Sequence, residues 1–292
     1  MALRFDERVA LVTGAGSGLG RAYAEWLAAR GARVVVNNRV HEGLPSSAEA
    51  VVESIRSAGG HAVADHHAVD REESGRAMIE AAFAAFGRLD IIIANAGGNV
   101  KKPIVETSLD EFRQNMDLNF WGAVYPVLQA LPRFFAANYG RIVLTTSAAG
   151  LFGQKNHVPY AASKLALVGF ARALAVEIGK RNVKVNLISP YAFTKGSRHA
   201  IGDRLEAIMS PDRVAPVVGW LAHESCEHTG IVLSAGAGRV RRVGMVEGQI
   251  LETTGEDIGE LWPRLSDLGA ATESRNSGRS ALQLIPELAP PP

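Results

Sequence analysis

The sequence predicts an α/β fold with a single doubly wound parallel sheet and helices on both faces. Short apolar runs, such as residues 34–36 and 91–93, are typical of strands buried on both faces. These runs alternate with helix-length stretches, and the chain shows neither an internal repeat nor a second composition. Right-handed crossovers between parallel strands then produce a doubly wound sheet.

Each strand is predicted from an apolar run in the sequence. They are predicted over residues 9–13, 33–37, 62–64, 90–94, 141–146, 183–188 and 231–234. The last of these is expected to complete the sheet. Ligands of such sheets bind beyond the carboxyl ends of the strands, so residues that follow strands are the first candidates for a site.

The helices are predicted over residues 19–30, 47–58, 72–86, 109–137, 159–180 and 211–223, with a further segment near Arg204. Gly31 ends the first helix, since glycine readily takes the left-handed conformation at a helix end. Pro126 and Pro132 are expected to kink or break the long 109–137 stretch, because proline cannot continue helical hydrogen bonding.

The length of 292 residues allows one large α/β domain. We predict a single domain over residues 1–272 and a flexible tail over residues 273–292, which ends in three prolines. Residues 1–7 carry charges where a signal peptide has an apolar run, and no apolar stretch reaches the roughly 20 residues of a membrane span. A cytoplasmic protein without membrane contacts is therefore expected.

The charge and cysteine content narrow the function classes. A formal net charge of +1 lacks the basic excess of a nucleic-acid binder. The single cysteine, Cys226, excludes an intramolecular disulfide, and the eight histidines show no ligand-like spacing, so no metal site is predicted. Cys226 is interpreted as a surface or helix-end residue in preference to a nucleophile.

A glycine-rich turn, TGAGSGLG at residues 13–20, joins the first strand to the first helix. Glycines alone indicate only a turn. At this position they bring backbone N–H groups close to a pyrophosphate at a helix N-terminus, as in a Rossmann-like dinucleotide site. A Gly-Lys-Ser/Thr ending is missing, which disfavours a nucleotide triphosphate. The predicted contacts are Gly14, Ser17, Gly18, Leu19 and Gly20.

The residues after the second strand predict the cofactor preference. Asn38 is a neutral ribose partner where a carboxylate would favour NAD, and Arg39 can grip a 2′-phosphate with paired donors. The alternative is that Arg39 is a solvated loop charge. We predict NADP over NAD. After the fourth strand, Asn95, Ala96 and Gly97 provide small residues against which a cofactor can lie, although alone they indicate only a turn.

Tyr160 and Lys164 stand four residues apart at the start of a predicted helix and so share one face. A nearby ammonium favours the phenolate and lowers the tyrosine pKa, as a general acid/base requires. Such a pair is usually only a helix surface. Ser147 changes that interpretation, because it follows the preceding strand at the same sheet edge and can bind the substrate oxygen. Asn119, in the long helix, completes the set as a residue that holds a water beside Lys164; alone it would be an ordinary helix asparagine.

These motifs, in this order, resemble the short-chain dehydrogenase/reductase family over about residues 5–238. The resemblance implies that Tyr160 transfers the proton, Lys164 lowers its pKa and binds the nicotinamide ribose, and Ser147 orients the substrate. It also implies a homodimer or homotetramer through the 109–137 and 159–180 helices. The further cofactor contacts that it implies are His67 at the adenine position, Ala68, Pro190 and Thr194.

Two segments, residues 12–24 and 214–227, are similar to the D-3-hydroxyacyl-CoA dehydrogenase part of peroxisomal multifunctional enzymes. That similarity implies a 3-hydroxyacyl-CoA substrate. Members of that group carry aspartate at the position of Asn38 and prefer NAD, so cofactor and substrate expectations diverge. Pro190-Tyr191 replaces a Pro-Gly pair. The alternatives are a carbonyl reductase of small, aromatic or steroid-like ketones, and a non-catalytic NADP-binding redox sensor.

Overall fold

The sheet of this chain is eight-stranded in the computed structural model, which describes residues 3–40, 43–192, 208–253, 258–269, 271–273 and 284. Its spatial order is β3-β2-β1-β4-β5-β6-β7-β8. The register pairs adjacent strands from β3 through β7 in parallel. The strands are β1 (Val9–Val12), β2 (Arg33–Asn37), β3 (His61–Asp65), β4 (Ile91–Ala94), β5 (Gly140–Thr145), β6 (Val183–Tyr191), β7 (Val232–Gly236) and β8 (Arg239–Val243).

Helices cover the parallel strands. One group, α1, α2 and α8, packs on a core that includes the alternate strand residues Val12, Val34 and Ile93. In a second group, α5 contacts β4 and β5, and α7 contacts β5 and β6. The predicted doubly wound fold is thus confirmed. The helices are α1 (Gly18–Ala28), α2 (Ser47–Ser57), α3 (Glu72–Phe86), α4 (Leu109–Met116), α5 (Gly122–Ala137), α6 (Ala148–Phe152), α7 (Val158–Ile178) and α8 (Ala215–Ala222).

The order of the strands reverses between β1 and β4. The chain moves outward from β1 through β2 to β3, then crosses back and continues from β4 to β8. Parallel sheets of this kind bind ligands at that reversal, beyond the carboxyl ends of the strands. The glycine-rich turn after β1 and the small residues after β4 therefore lie side by side.

The long helix is interrupted at a position that the sequence did not indicate. A π-helical turn, Asp117–Trp121, separates α4 from α5, and α5 runs through both Pro126 and Pro132. The two prolines therefore do not break the helix, and the predicted kink at these positions stays a prediction. The carbonyl group that the Pro126 ring displaces belongs to Gly122, where the hydrogen-bond spacing is already irregular. The carbonyl released by Pro132 belongs to Leu128, which is exposed to solvent.

The prediction that the seventh strand completes the sheet is also wrong. Ala237 and Gly238, with φ of 53° and 74°, form a two-residue turn of the kind that joins antiparallel strands. β8 follows and forms the edge of the sheet. Its sequence, RVRRV, is too polar to be recognised as a buried strand. A short helix, α6, was also missed, and the segment predicted near Arg204 lies outside the described residues.

The chain forms two compact units, Met1–Arg242 and Val243–Pro292. In the second, the described residues include a short helix, α9 (Ile258–Leu265), and an antiparallel bridge between Glu247 and Thr272. The domain limits predicted at residues 272 and 273 stay a prediction. Among the helices that the structure describes, none combines the length and apolar character of a membrane span.

Candidate active site

The glycine-rich turn lies tightly against the segment that follows β4. Gly14 has φ of 63°, which favours glycine, and a Cβ built on it would lie 2.7 Å from Cα of Ala96. Thr13 links the glycine-rich turn to the segment after β4, because its Oγ1 accepts hydrogen bonds from the backbone N–H groups of Asn95 and Ala96 at 3.0 and 3.1 Å. The Asn95 amide also donates to the carbonyl groups of Thr13 and Gly14. The sequence analysis missed this role of Thr13.

Helix α1 begins directly after this turn, and its first turn contains no acidic residue. Ser17 is the N-cap, and its exposed side chain makes no capping hydrogen bond. Gly18 and Gly20 lie in the first turn of α1, while Leu19 packs on the core. The backbone N–H groups at this helix end therefore face an approaching anion without a competing carboxylate.

The residues after β2 differ in how they are held. The Asn38 side chain donates to Ser47 Oγ at 2.8 Å and to the Arg39 carbonyl at 3.3 Å. Its amide N–H donors are therefore directed into the protein. Arg39 is exposed, and within the described part of the chain its guanidinium has no hydrogen-bond or ion-pair partner. A free guanidinium at this position is available to a phosphate group.

His67 is held by a buried carboxylate that the sequence analysis missed. Asp65, at the end of β3, is buried, and its Oδ2 lies 2.8 Å from Nδ1 of His67. Its Oδ1 accepts from the His67 backbone N–H at 3.2 Å and from the Asn37 amide at 2.6 Å. The imidazole plane is thereby fixed, with Nε2 left on the side away from Asp65. Ala68 follows, half-buried.

Ser147, Tyr160 and Lys164 come together beyond the carboxyl end of β5. Ser147 caps α6, where its Oγ accepts from the Ala149 N–H at 3.2 Å, and its hydroxyl lies close enough to Tyr160 to lower the pKa of the phenol. The Lys164 Nζ lies 5.8 Å from the centre of the Tyr160 ring. It donates to the Thr145 carbonyl at 2.9 Å. The sequence analysis did not identify Thr145 as its anchor.

The ionisation of these groups is set mainly by burial. Burial raises the pKa of Tyr160, and the hydrogen bond with Ser147 opposes that rise. Burial lowers the pKa of Lys164 to about 8. The expected lowering of the tyrosine pKa by the ammonium does not set the net direction here, because the phenol is desolvated more strongly than it is stabilised.

Asn119 lies in the π turn and is fully buried. Its amide donates to the Gly98 carbonyl at 2.8 Å and to both oxygens of Asn115 at 3.0 Å, while its Oδ1 accepts from the Gly98 N–H. A Cβ on Gly97 would lie 2.7 Å from that Oδ1 and 3.3 Å from the Lys164 Nζ. Asn119, Gly97 and Lys164 therefore meet. Asn115, four residues earlier on the same helix face, was missed.

The remaining candidates lie around this group or away from it. Pro190 pairs with Ala235 and is half-buried, and Tyr191 beside it is 40% exposed. Thr194 lies outside the residues that the structure describes. Cys226 is buried, and burial raises the pKa of its thiol, so it lacks the properties of a reactive nucleophile.

The site accommodates a dinucleotide along the carboxyl edge of the sheet. Along the sheet, Arg39 beyond β2 comes first, the glycine turn after β1 second and Gly97 after β4 third. A larger residue at Gly14 would clash with Ala96, and one at Gly97 would clash with Asn119. The Ser–Tyr–Lys group stands at the far end. A fold and a site of this kind define a nicotinamide-dependent oxidoreductase.

Comparison with known proteins places the chain more narrowly. Residues 8–205 match the family model for short chain dehydrogenases. The chain belongs to this short-chain dehydrogenase/reductase family, which binds NAD or NADP and acts on small molecules. The retained Ser–Tyr–Lys group and the enzyme relatives bear out an enzyme and leave the sensor alternative unsupported.

A peroxisomal multifunctional enzyme type 2 from Drosophila melanogaster is 38% identical over 98% of this chain and 50% of its own length. Its solved structure superposes with a TM-score of 0.83, at 35% identity over the same shares of the two chains. The chain thus spans about half the length of this relative. This similarity confirms the resemblance to peroxisomal multifunctional enzymes, and the expected cytoplasmic location stays a prediction.

Two further relatives match over most of their own length. A putative short-chain type dehydrogenase/reductase from Mycobacterium tuberculosis is 35% identical over 91% of this chain and 96% of its own. A 7α-hydroxysteroid dehydrogenase, solved with NADH and 7-oxo glycochenodeoxycholic acid, is 28% identical over 80% of this chain and 95% of its own, with a TM-score of 0.73.

Proposed function

We propose that this chain oxidises the secondary alcohol of a D-3-hydroxyacyl-CoA thioester to the 3-ketone, or runs the reverse reduction, with NADP preferred over NAD. The observation that carries the reaction class is the grouping of Ser147, Tyr160 and the buried Lys164 beyond the carboxyl end of β5, with the Lys164 Nζ 5.8 Å from the centre of the Tyr160 ring. The similarity to the Drosophila enzyme over nearly the whole chain supports the thioester substrate.

Tyr160 is the proposed proton donor to the substrate oxygen during reduction and the acceptor during oxidation. Ser147, close enough to the tyrosine to affect its pKa, would share that oxygen and hold it against the phenol. A nicotinamide, when bound, supplies the hydride chemistry. Ser147 follows β5, and Tyr160 lies in the first turn of α7. Two regular elements therefore fix the positions of the two side chains relative to each other.

Lys164 would hold the nicotinamide ribose and, while charged, offset the cost of forming the phenolate. Its Nζ already donates to the Thr145 carbonyl and lies close to Gly97. Asn119 would support this arrangement by fixing the backbone at Gly98 and by holding a water beside Lys164. Removing any one of the four residues should lower turnover without unfolding the sheet.

Cofactor binding is proposed to use the whole carboxyl edge. The turn after β1 would hold the pyrophosphate, Asn38 and Arg39 the adenosine ribose with its 2′-phosphate, and His67 with Ala68 the adenine. The nicotinamide half would lie against Asn95, Ala96, Gly97, Tyr160, Lys164, Pro190 and Thr194. The NADP preference rests on the free guanidinium of Arg39 and on the absence of a carboxylate at Asn38.

A second candidate substrate class is a bulky ketone of aromatic or steroid type. Two exposed aromatic side chains favour it: Phe152 at the end of α6 and Tyr191 at the end of β6. Both follow strands that border the Ser–Tyr–Lys group. Flat apolar faces of this kind suit ring systems, and the 7α-hydroxysteroid dehydrogenase was solved with such a ligand.

The helices α5 and α7 are proposed to form the interface of a homodimer or homotetramer. The π turn and α5 expose Trp121, which stacks on Tyr125, together with Leu128 and Phe135. α7 exposes Leu165 and Val176. Large apolar side chains on the outer faces of two helices are typical of subunit interfaces.

The proposed function is tested by a cofactor-coupled assay with a D-3-hydroxyacyl-CoA, its L-enantiomer, small ketones and steroids, each with NADP and NAD. We expect the highest kcat/KM with the D-thioester and NADP. A higher kcat/KM with a steroid or aromatic ketone would select the second candidate. Equal turnover of both thioester enantiomers would contradict the proposed substrate.

A further inference from the structure

Three arginines form an exposed group at the β8 end of the sheet, which we call the β8 arginine group. Arg213 precedes α8, and its Nη1 lies 3.4 Å from the position of a Cβ on Gly238. Gly238 is followed directly by Arg239, the first residue of β8. Arg241 lies two residues further along and so shares a face of the strand with Arg239. The group therefore surrounds the turn between β7 and β8.

The guanidinium groups of these arginines are not neutralised. Arg213, Arg239 and Arg241 are all exposed, and within the described residues none has a hydrogen-bond or ion-pair partner for its side chain. The carboxylate nearest in sequence, Asp212, accepts a hydrogen bond from the Ser210 hydroxyl at 2.9 Å. Three unpaired guanidinium groups at one turn attract an anion, and their forked donors suit phosphate in particular.

The group lies at the same sheet edge as the catalytic residues. Ser147 follows β5, Tyr191 ends β6 and pairs with Gly236 at the end of β7, and the turn to Arg239 comes next. From β5 to β8 the sheet crosses three strand spacings, about 14 Å. Arg39 lies beyond β2, on the other side of the switch point, and is separated from Arg239 and Arg241 by β1 and β4 to β7.

We propose that the β8 arginine group binds the phosphate groups of the coenzyme A part of the substrate. This assignment rests on the proposed thioester activity. The pantetheine arm, with its two amide units, is comparable to four or five extended residues and spans about 15 Å. That length matches the distance from the carboxyl end of β5 to β8. The acyl carbon would then lie at Ser147 and Tyr160 while the phosphates meet the arginines.

The test compares Arg213→Gln and Arg239→Gln with wild type, using a D-3-hydroxyacyl-CoA and the same acyl group on pantetheine. Arg76→Gln, which removes an exposed arginine from α3, is the matched control. Each variant at the β8 group should raise the KM for the CoA thioester about fivefold to tenfold, with kcat unchanged. The KM for the pantetheine thioester and for the nicotinamide cofactor should not change. At saturating cofactor, added salt should raise the wild-type KM for the CoA thioester and leave the KM for the pantetheine thioester unchanged.

The outcomes separate this assignment from the proposed function. If wild type turns over both thioesters and the variants leave both KM values unchanged, or raise them equally, the assignment to the arginines is wrong. If wild type turns over neither thioester but reduces another ketone, the proposed function fails and the assignment fails with it. A loss seen equally in Arg76→Gln would show only a general effect of charge and would also overturn it.

Discussion

Lys164 directs its hydrogen bond to the Thr145 carbonyl, while its Nζ stands 5.8 Å from the centre of the Tyr160 ring. The lysine is thus fixed beside the phenol by the end of β5 and not by the phenol itself. The arrangement leaves the Tyr160 hydroxyl beside Ser147 and free to exchange a proton with a substrate. It also makes the lysine costly to keep charged, because the side chain is only 3% exposed.

Stability should depend on pH through Lys164. Its pKa falls from 10.5 to about 8 on burial, so between those values the unfolded state binds more protons than the folded state. Below about pH 8 the burial cost is fully present, and it is lost as the pH rises toward 10.5. Lys164→Met should therefore be more stable than wild type at pH 7, by up to about 3 kcal/mol, with the difference shrinking as pH rises. Urea unfolding of the cofactor-free proteins at several pH values measures this; parallel curves would contradict it.

Arg39 should determine the cofactor preference. Its exposed guanidinium has no partner in the described part of the chain and is proposed to bind the 2′-phosphate. Arg39→Gln should weaken NADP binding by about tenfold or more and leave NAD binding nearly unchanged. Adding Asn38→Asp should reverse the preference, because a carboxylate repels the phosphate and binds the ribose. Fluorescence titration gives both dissociation constants, and a wild-type preference for NAD would refute the prediction.

Asp65 and His67 should act as one unit in binding the adenine. Asp65→Asn removes the charged acceptor that orients the imidazole through the 2.8 Å contact. We expect both Asp65→Asn and His67→Ala to weaken cofactor binding severalfold, with kcat at saturating cofactor unchanged. The double variant should be no weaker than the single ones, because the two residues share one interaction. Additive losses in dissociation constant would show that Asp65 stabilises only the end of β3.

Gly97→Ala should disturb the contact between Gly97, Asn119 and Lys164 and leave the protein folded. The added methyl group would lie 2.7 Å from Oδ1 of Asn119 and 3.3 Å from the Lys164 Nζ. We expect an overpacking cost of about 1–3 kcal/mol and a marked loss of turnover. Gly169→Ala is the control, since no atom lies within 4 Å of its Cβ position in α7. That control should be neutral or slightly stabilising. Thermal unfolding and a steady-state assay compare the two variants. If Gly97→Ala turned over as fast as Gly169→Ala, the result would count against the predicted role of the contact between Gly97, Asn119 and Lys164.

The fold class could be predicted from the sequence because parallel strands that are buried on both faces consist of continuous apolar runs, as at residues 91–93. It was insufficient where tertiary contacts outweigh local pattern. β8 is an edge strand rich in arginine, and an edge strand needs no apolar face. The π turn at Asp117–Trp121 is only five residues long, which is too short for an apolar pattern in the sequence to indicate it. The prolines in α5 gave a misleading signal, because one of them lies just after an already irregular turn.

The candidate site also contains residues that could be predicted from the sequence and residues that could not. The motif residues Ser147, Tyr160 and Lys164 were found because their order and spacing are informative. The residues that hold these side chains in place were not predicted. Thr145 binds Lys164 through its backbone carbonyl, and every residue has a backbone carbonyl, so the sequence does not single it out. Asn115 is the exception. Its position four residues before Asn119 places the two amides on one helix face, and that spacing was available in the sequence.

The role of the Tyr160 hydroxyl in proton transfer is tested most directly by measuring the turnover of Tyr160→Phe with saturating cofactor and a substrate of the wild-type enzyme. The variant keeps the ring that packs near Lys164 and loses only the hydroxyl, so cofactor affinity should be preserved. We predict that kcat falls by at least about a hundredfold, and that adding Ser147→Ala lowers it little further. Turnover near that of wild type, with cofactor still bound, would contradict the central role given to the phenol.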